Sequence, residues 1–225
     1  MLDGRLRATV SRGLTPIGRG LERAGVGPDG LTALGLALSV VTALLIASGH
    51  LVWGVVALTA SGLVDLLDGS VARTSGRASP RGAFFDSVAD RFTDALLLGG
   101  VAWYLASTQP GRIAVLPFAV LALSMLISYE RAKADSLGYD ARGGLMERAE
   151  RLIALGFGLL FDSLLVPVLW VMLVLTAITA VQRFVRVWRQ ASAPRPVPAT
   201  TRWRTRRAAR TTLRVKVRGV RRLRR

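Results

Sequence analysis

The chain has 225 residues, 51% of them hydrophobic, with a formal net charge of +17 and no cysteine. A disulfide framework, a thiolate metal site and a thiol nucleophile are thereby excluded, and a single histidine, His50, cannot build a metal cluster and is read as structural. The charge does not argue for nucleic acid: residues 189–225 hold 14 Lys and Arg and no acid, while the rest of the chain sets 17 bases against 14 acids.

Mean hydropathy is +0.40, and the apolar residues come in long blocks rather than at the period of a soluble domain. Residues 2–25 lack the continuous apolar centre of a signal peptide. Leu6, Val10, Leu14, Ile17 and Leu21 recur there at helical spacing with arginines between them. That pattern predicts a helix lying in the membrane interface, interrupted near Pro16. Six stretches then follow that are long and apolar enough to count as spans of a ~30 Å hydrocarbon core. They are Leu31 to Leu51, Trp53 to about Ala72, Gly82 to about Ser107, Ile113 to about Ala134, Glu147 to Phe161 and Leu164 to Trp188. Between the last two, Asp162-Ser163 and Pro167 are the only punctuation. None alternates at period two, which argues against a strand barrel. The expected fold is an all-α polytopic membrane protein, six transmembrane helices preceded by the interfacial amphipathic helix. Residues 1–28 form the leader, 29–188 the membrane domain and 189–225 a basic tail.

The tail carries Pro194, Pro196 and Pro198 before its arginine-rich run. Spacing and like-charge repulsion predict disorder or a surface-bound segment. Anionic lipid is its natural partner, at roughly 1 kcal/mol per basic residue. Loop charge sets the orientation. The connectors after spans one, three and five hold only Arg112, whereas those after spans two and four, the leader and the tail are rich in arginine. Both termini are expected in the cytoplasm of a multi-pass cell-membrane protein, with the second cytoplasmic loop flanked by acids.

Those acids are the informative part. Asp65, Asp68, Asp86, Asp90 and Asp94 lie among hydrophobic and small residues, and ionised groups in such a stretch mark a bound ion or a substrate path. Residues three or four apart share a helix face. Asp65 and Asp68 therefore point one way from the end of span two, and Asp86, Asp90 and Asp94 line one face of span three. The short loop 73–81 predicts that these spans are antiparallel neighbours with their carboxylates facing. Like charges so close repel unless protonated or shared by cations. Oxygen ligands without His or Cys favour Mg²⁺, Mn²⁺ or Ca²⁺. A pair of such ions can clamp a phosphoryl group. Gly69 leaves room for a ligand at the backbone, and Arg73 offers a planar fork to phosphate oxygens. The plain alternative pairs the acids with Arg73, Arg77, Arg81 and Arg91.

The run Asp65-Leu-Leu-Asp68-Gly69-Ser-Val-Ala72-Arg73, eight residues, Gly82-Ala-Phe-Phe-Asp86-Ser-Val-Ala-Asp90 resembles, at every signature position, the motif of the CDP-alcohol phosphotransferase family. The resemblance covers about residues 2–188. It implies attack of an alcohol on a CDP-linked lipid, giving a phosphodiester lipid and CMP. It implies two metal ions, Mg²⁺ or Mn²⁺, on Asp65, Asp68, Asp86 and Asp90, with Asp90 also taking the proton of the attacking hydroxyl. By the same likeness Gly69 and Arg73 contact the cytidine diphosphate. Pro28-Asp29-Gly30-Leu31-Thr32 resembles the family's cytidine-binding entry to the first span, and Ser79 matches a further nucleotide contact. For Asp29 and Thr32 the structural alternative is a helix N-cap.

The acceptor is read from Ser128-Tyr-Glu-Arg131-Ala-Lys133-Ala, Glu147-Arg148-Ala149-Glu150-Arg151 and Val181-Gln182-Arg183. A basic pocket from these bases would suit a phosphorylated acceptor. The segments resemble those of actinobacterial phosphatidylinositol phosphate synthases, with Arg131 and Lys133 in reversed order and Ala149 for a proline. The resemblance implies CDP-diacylglycerol as donor, inositol phosphate held by Arg131, Lys133, Arg151 and Arg183, and a homodimer in the lipid bilayer. Glycerol 3-phosphate is the nearest alternative acceptor. A divalent-cation transporter would also use intramembrane aspartates, but it would not need Gly69, Ala72, Arg73 and Gly82 at fixed offsets.

Overall fold

The computed structural model describes residues 27–74 and 79–192, without the side chains of Pro28 and residues 68–74. The expected interfacial helix and the basic tail beyond 192 lie outside the described residues. Six helices follow in order: α1 (Pro28–Ala47), α2 (Leu51–Thr74), α3 (Pro80–Thr108), α4 (Val115–Leu137), α5 (Arg148–Leu160) and α6 (Asp162–Ser192). The residues divide into two units after Val187, and of the second the described part is the final turn of α6.

Local chemistry explains the helix ends. Pro28 and Pro80 open α1 and α3 at positions where a missing N–H is harmless. The Ser79 hydroxyl accepts the Gly82 N–H at 3.0 Å and caps α3. Gly138, at φ 77°, closes α4 in the left-handed conformation that favours glycine. The apolar run expected to hold two spans does break, at Phe161, whose φ of −119° and ψ of 86° leave the helical region. Asp162 then sits in the first turn of α6, where the helix dipole favours an anion, and accepts a hydrogen bond from the Tyr104 hydroxyl at 2.9 Å.

Among the described residues, three helices are long and apolar enough to cross a bilayer: Asp29–Ala47, Val115–Leu137 and Asp162–Ser192. The apolar stretch described for α2 is Leu51–Leu67, beyond which its side chains lie outside the described residues. The first half of α3 carries Arg81, Asp86, Asp90, Arg91 and Asp94. With 13 residues, α5 is about 20 Å long, less than the ~30 Å core.

Helix α1 packs against both α2 and α3, α4 packs on α3, and α5 on α2. The loop was expected to make α2 and α3 direct neighbours. Among the described residues α1 packs against both, and the contact among the three helices is polar. Ser39 of α1 lies 3.2 Å from Ser61 of α2 and 3.1 Å from Thr93 of α3, hydroxyl to hydroxyl, all three buried. Ser39 and Ser61 both donate to the Gly35 carbonyl oxygen. In lipid such side-chain bonds hold helices together where apolar burial cannot discriminate. Below this cluster Ile46, Leu58, Leu97, Val101, Leu155, Leu165 and Leu169 pack as one core, while Trp53, Trp103 and Trp170 stay exposed.

Close approach at the far end depends on Gly100. A Cβ there would come 2.7 Å from the Ala43 carbonyl oxygen. Gly100→Ala is therefore expected to push α1 and α3 apart and cost about 1–3 kcal/mol, read as a lowered midpoint of thermal unfolding in detergent. An unchanged midpoint would mean that this crossing yields freely.

Candidate active site

The charged residues collect at the opposite end from Tyr104 and Asp162. Asp65, just past the midpoint of α2, extends beside Gly35 of α1, where a Cβ would sit 3.0 Å from Asp65 Oδ1. Gly35 thus makes room for the carboxylate, and its carbonyl anchors the hydroxyl cluster one turn deeper. This residue was missed from sequence. Its signal was only a small side chain in an apolar helix.

On α3, Asp86, Asp90 and Asp94 rise one turn apart from an exposed position to a buried one. The Nη1 atom of Arg148, the first residue of α5, lies 2.8 Å from Asp65 Oδ2 and 2.7 Å from Asp90 Oδ1. Carboxylates from two helices thus converge on one cationic atom, and their oxygens are no farther apart than those two distances combined. Arg148 Nε is buried without a hydrogen-bond partner, 3.8 Å from Asp94 Oδ1. Asp86 lies in the field of Asp65, Arg148 and Arg91, and Arg91 Nη2 approaches Asp90 Oδ2 at 3.5 Å. Of the arginines offered as plain partners, Arg91 makes such a pair. Arg73 and Arg77 have no described side chains. The sequence grouped Arg148 with the acceptor bases, whereas it is the main partner of the acids.

Asp68, Gly69 and Arg73 belong to the last two turns of α2, but their side chains are outside the described residues. Among the described residues no three carboxylates are close enough together to hold a metal ion. The donor set nonetheless fits a hard dication: two oxygens on different helices meet at one cation position, and neither His nor Cys is present there.

Of the expected nucleotide contacts, Asp29 and Ser79 stand at the starts of α1 and α3. Asp29 is exposed in the first turn of α1, while Gly27 is the N-cap without a side-chain bond. The capping explanation therefore does not apply to Asp29. A Cβ on Gly82 would meet Asp29 Oδ1 at 3.4 Å and Ser79 Oγ at 3.3 Å, which brings the starts of α1 and α3 together. Gly30 is exposed, and Leu31 and Thr32 are buried. Ser79 spends its hydroxyl on capping α3.

The acceptor bases separate into two kinds. Arg151 is buried and bonded through Nη2 to Asp94 Oδ2 at 2.8 Å. Arg183 is buried and makes three bonds: Nε to the Gly143 carbonyl at 3.0 Å, Nη1 to the Ile127 carbonyl at 2.9 Å and Nη2 to Glu147 Oε1 at 3.1 Å. It fastens α6 to α4 and to the 139–147 connector, and it lies in the field of Arg131 and Arg151 as well as Glu130 and Glu147. Arg131, Arg151 and Arg183 thus lie within one another's field, offset in part by Glu130 and Glu147. Lys133 is exposed on the last turns of α4.

Comparison with known proteins identifies the family. The family model for CDP-alcohol phosphatidyltransferase matches residues 26–188. Phosphatidylinositol phosphate synthase of Streptomyces avermitilis is 37% identical over 206 residues, 85% of this chain and 84% of that protein. The Mycobacterium tuberculosis protein of that name is 37% identical over 197 residues, covering 83% and 91%. Its crystal structure with CDP-DAG bound superposes with a TM-score of 0.75 at 35% identity, over 83% of this chain and 100% of that one. The structure in complex with manganese and citrate gives 0.73 at 36%, over 78% and 88%. The chain belongs to the CDP-alcohol phosphatidyltransferase family. It is a multi-pass membrane enzyme of phospholipid synthesis, related to the phosphatidylinositol phosphate synthases.

Proposed function

We propose that this enzyme moves the phosphatidyl group of CDP-diacylglycerol to inositol phosphate, giving phosphatidylinositol phosphate and CMP. The observation that carries the reading is the meeting of Asp65 and Asp90 at one cation position beside the Arg131, Arg151 and Arg183 cluster. Asp65, Asp68, Asp86 and Asp90 hold two Mg²⁺ or Mn²⁺ ions. Held there, such ions would supply charge neutralisation for the diphosphate and for the entering and leaving oxygens.

The chain's own residues do the rest. Asp29, Gly30, Leu31, Thr32, Gly69, Arg73 and Ser79 seat the cytidine diphosphate across the starts of α1 and α3 and the end of α2. Arg131, Lys133, Arg151 and Arg183 hold the acceptor's phosphate, so its hydroxyl faces Asp90. The hydroxyl oxygen bonds to the phosphorus carrying diacylglycerol, and the bond from that phosphorus to CMP breaks. The proton goes to Asp90. The six helices together make up the membrane-embedded domain. Both termini and the site face the cytoplasm. Residues 29–188 form the membrane domain. The working form is a homodimer.

Purified protein given CDP-diacylglycerol, Mn²⁺ and a panel of alcohols tests the assignment by CMP release. Inositol phosphate is expected to support turnover at least about tenfold faster than glycerol 3-phosphate, a difference of about 1.4 kcal/mol in transition-state binding. Turnover with glycerol 3-phosphate alone would move the acceptor assignment to that compound. No CMP with any acceptor would remove the reading.

A further inference from the structure

The position of Arg148 has a consequence for metal binding, and it rests on the metal site proposed above. A dication shared by Asp65 and Asp90 needs the space between their facing oxygens, about 2.0–2.6 Å from each. Arg148 Nη1 stands in that space, at 2.8 and 2.7 Å. A guanidinium nitrogen and a metal ion cannot both occupy it. The side chain has somewhere to go. It is 22% exposed, and its Nε is held by no hydrogen bond.

We infer that Arg148 is an internal counter-cation of the carboxylate site, a positioning residue that keeps Asp65 and Asp90 facing each other and competes with the divalent ion for them. Two carboxylates from different helices repel, and the guanidinium offsets that repulsion. Metal entry requires the Arg148 side chain to leave. The observed affinity is then the intrinsic affinity reduced by the fraction of molecules in which Arg148 has swung out. Arg91 provides the contrast. It lies 3.5 Å from one oxygen of Asp90, so it adds positive field without filling the shared position.

The test uses the full chain in detergent and measures Mn²⁺ binding by electron paramagnetic resonance. Arg148→Gln is expected to tighten Mn²⁺ binding about ten- to hundredfold, and Arg91→Gln by only a fewfold. A second measurement needs no variant. Phenylglyoxal labelling of the wild type, followed by peptide mapping at Arg148, is expected to speed up when Mn²⁺ is added, because the guanidinium is released. Unchanged or weaker Mn²⁺ binding in Arg148→Gln, equal tightening in Arg91→Gln, or slower labelling with Mn²⁺ would each overturn the competition while leaving the metal site in place. Failure of the wild type to bind Mn²⁺ at all would remove the site and the competition together.

Discussion

Asp90→Asn is expected to lower the rate of CMP release by at least about a thousandfold while CDP-diacylglycerol still binds. The change keeps the shape of the side chain and removes its charge and basicity. Loss of a positioned general base alone costs about 10²- to 10⁴-fold. Asp90 stands at the middle of the α3 ladder, with one oxygen 2.7 Å from the cation position it shares with Asp65. The same substitution therefore also weakens the charge that gathers metal. The proposed cytidine contacts on α1 and at Ser79 do not involve Asp90, so nucleotide binding measured by equilibrium dialysis should persist. Rates like those of the wild type in Asp90→Asn would reject both the base and the ligand role. Loss of nucleotide binding as well would mean that the carboxylate organises the whole mouth of the site.

What the sequence made legible followed from local rules, and what it hid depended on packing between helices. The expected spans lie close to the observed helices, although those opened at Leu31 and Gly82 begin a few residues earlier, at Pro28 and Pro80. The ladder Asp86, Asp90 and Asp94 follows from helical spacing alone. The role of α1 was hidden, because nothing in the run Gly35 to Ser39 says that these residues collect hydroxyls from two other helices. Arg148 and Arg151 look alike on paper, three residues apart on α5. Only the packing of α5 on α2 decides that one bridges Asp65 and Asp90 while the other is buried on Asp94. Arg183 was legible as an unusual base in an apolar helix, yet its two carbonyl partners on α4 and the connector are distant in sequence.

The buried pair carries the second large effect. Asp94 and Arg151 are 4% and 5% exposed and 2.8 Å apart. Their Coulombic attraction is opposed by the cost of taking both out of water, so the pair as a whole adds little net stability. Removing one partner is different. Asp94→Ala leaves a guanidinium buried with no carboxylate against it, and thermal unfolding in detergent should show a loss of roughly 3–5 kcal/mol. The double variant Asp94→Ala with Arg151→Met has no lone charge and should recover part of that loss. Function is expected to separate from stability here. Both variants disturb the seat that Arg151 gives the acceptor's phosphate, so the KM for inositol phosphate should rise in each. Only the single variant should unfold early. A double variant as unstable as the single one would mean that the site needs the ion pair as such. A double variant with the wild-type KM would exclude Arg151 from acceptor binding and leave Arg131 and Arg183 as its holders.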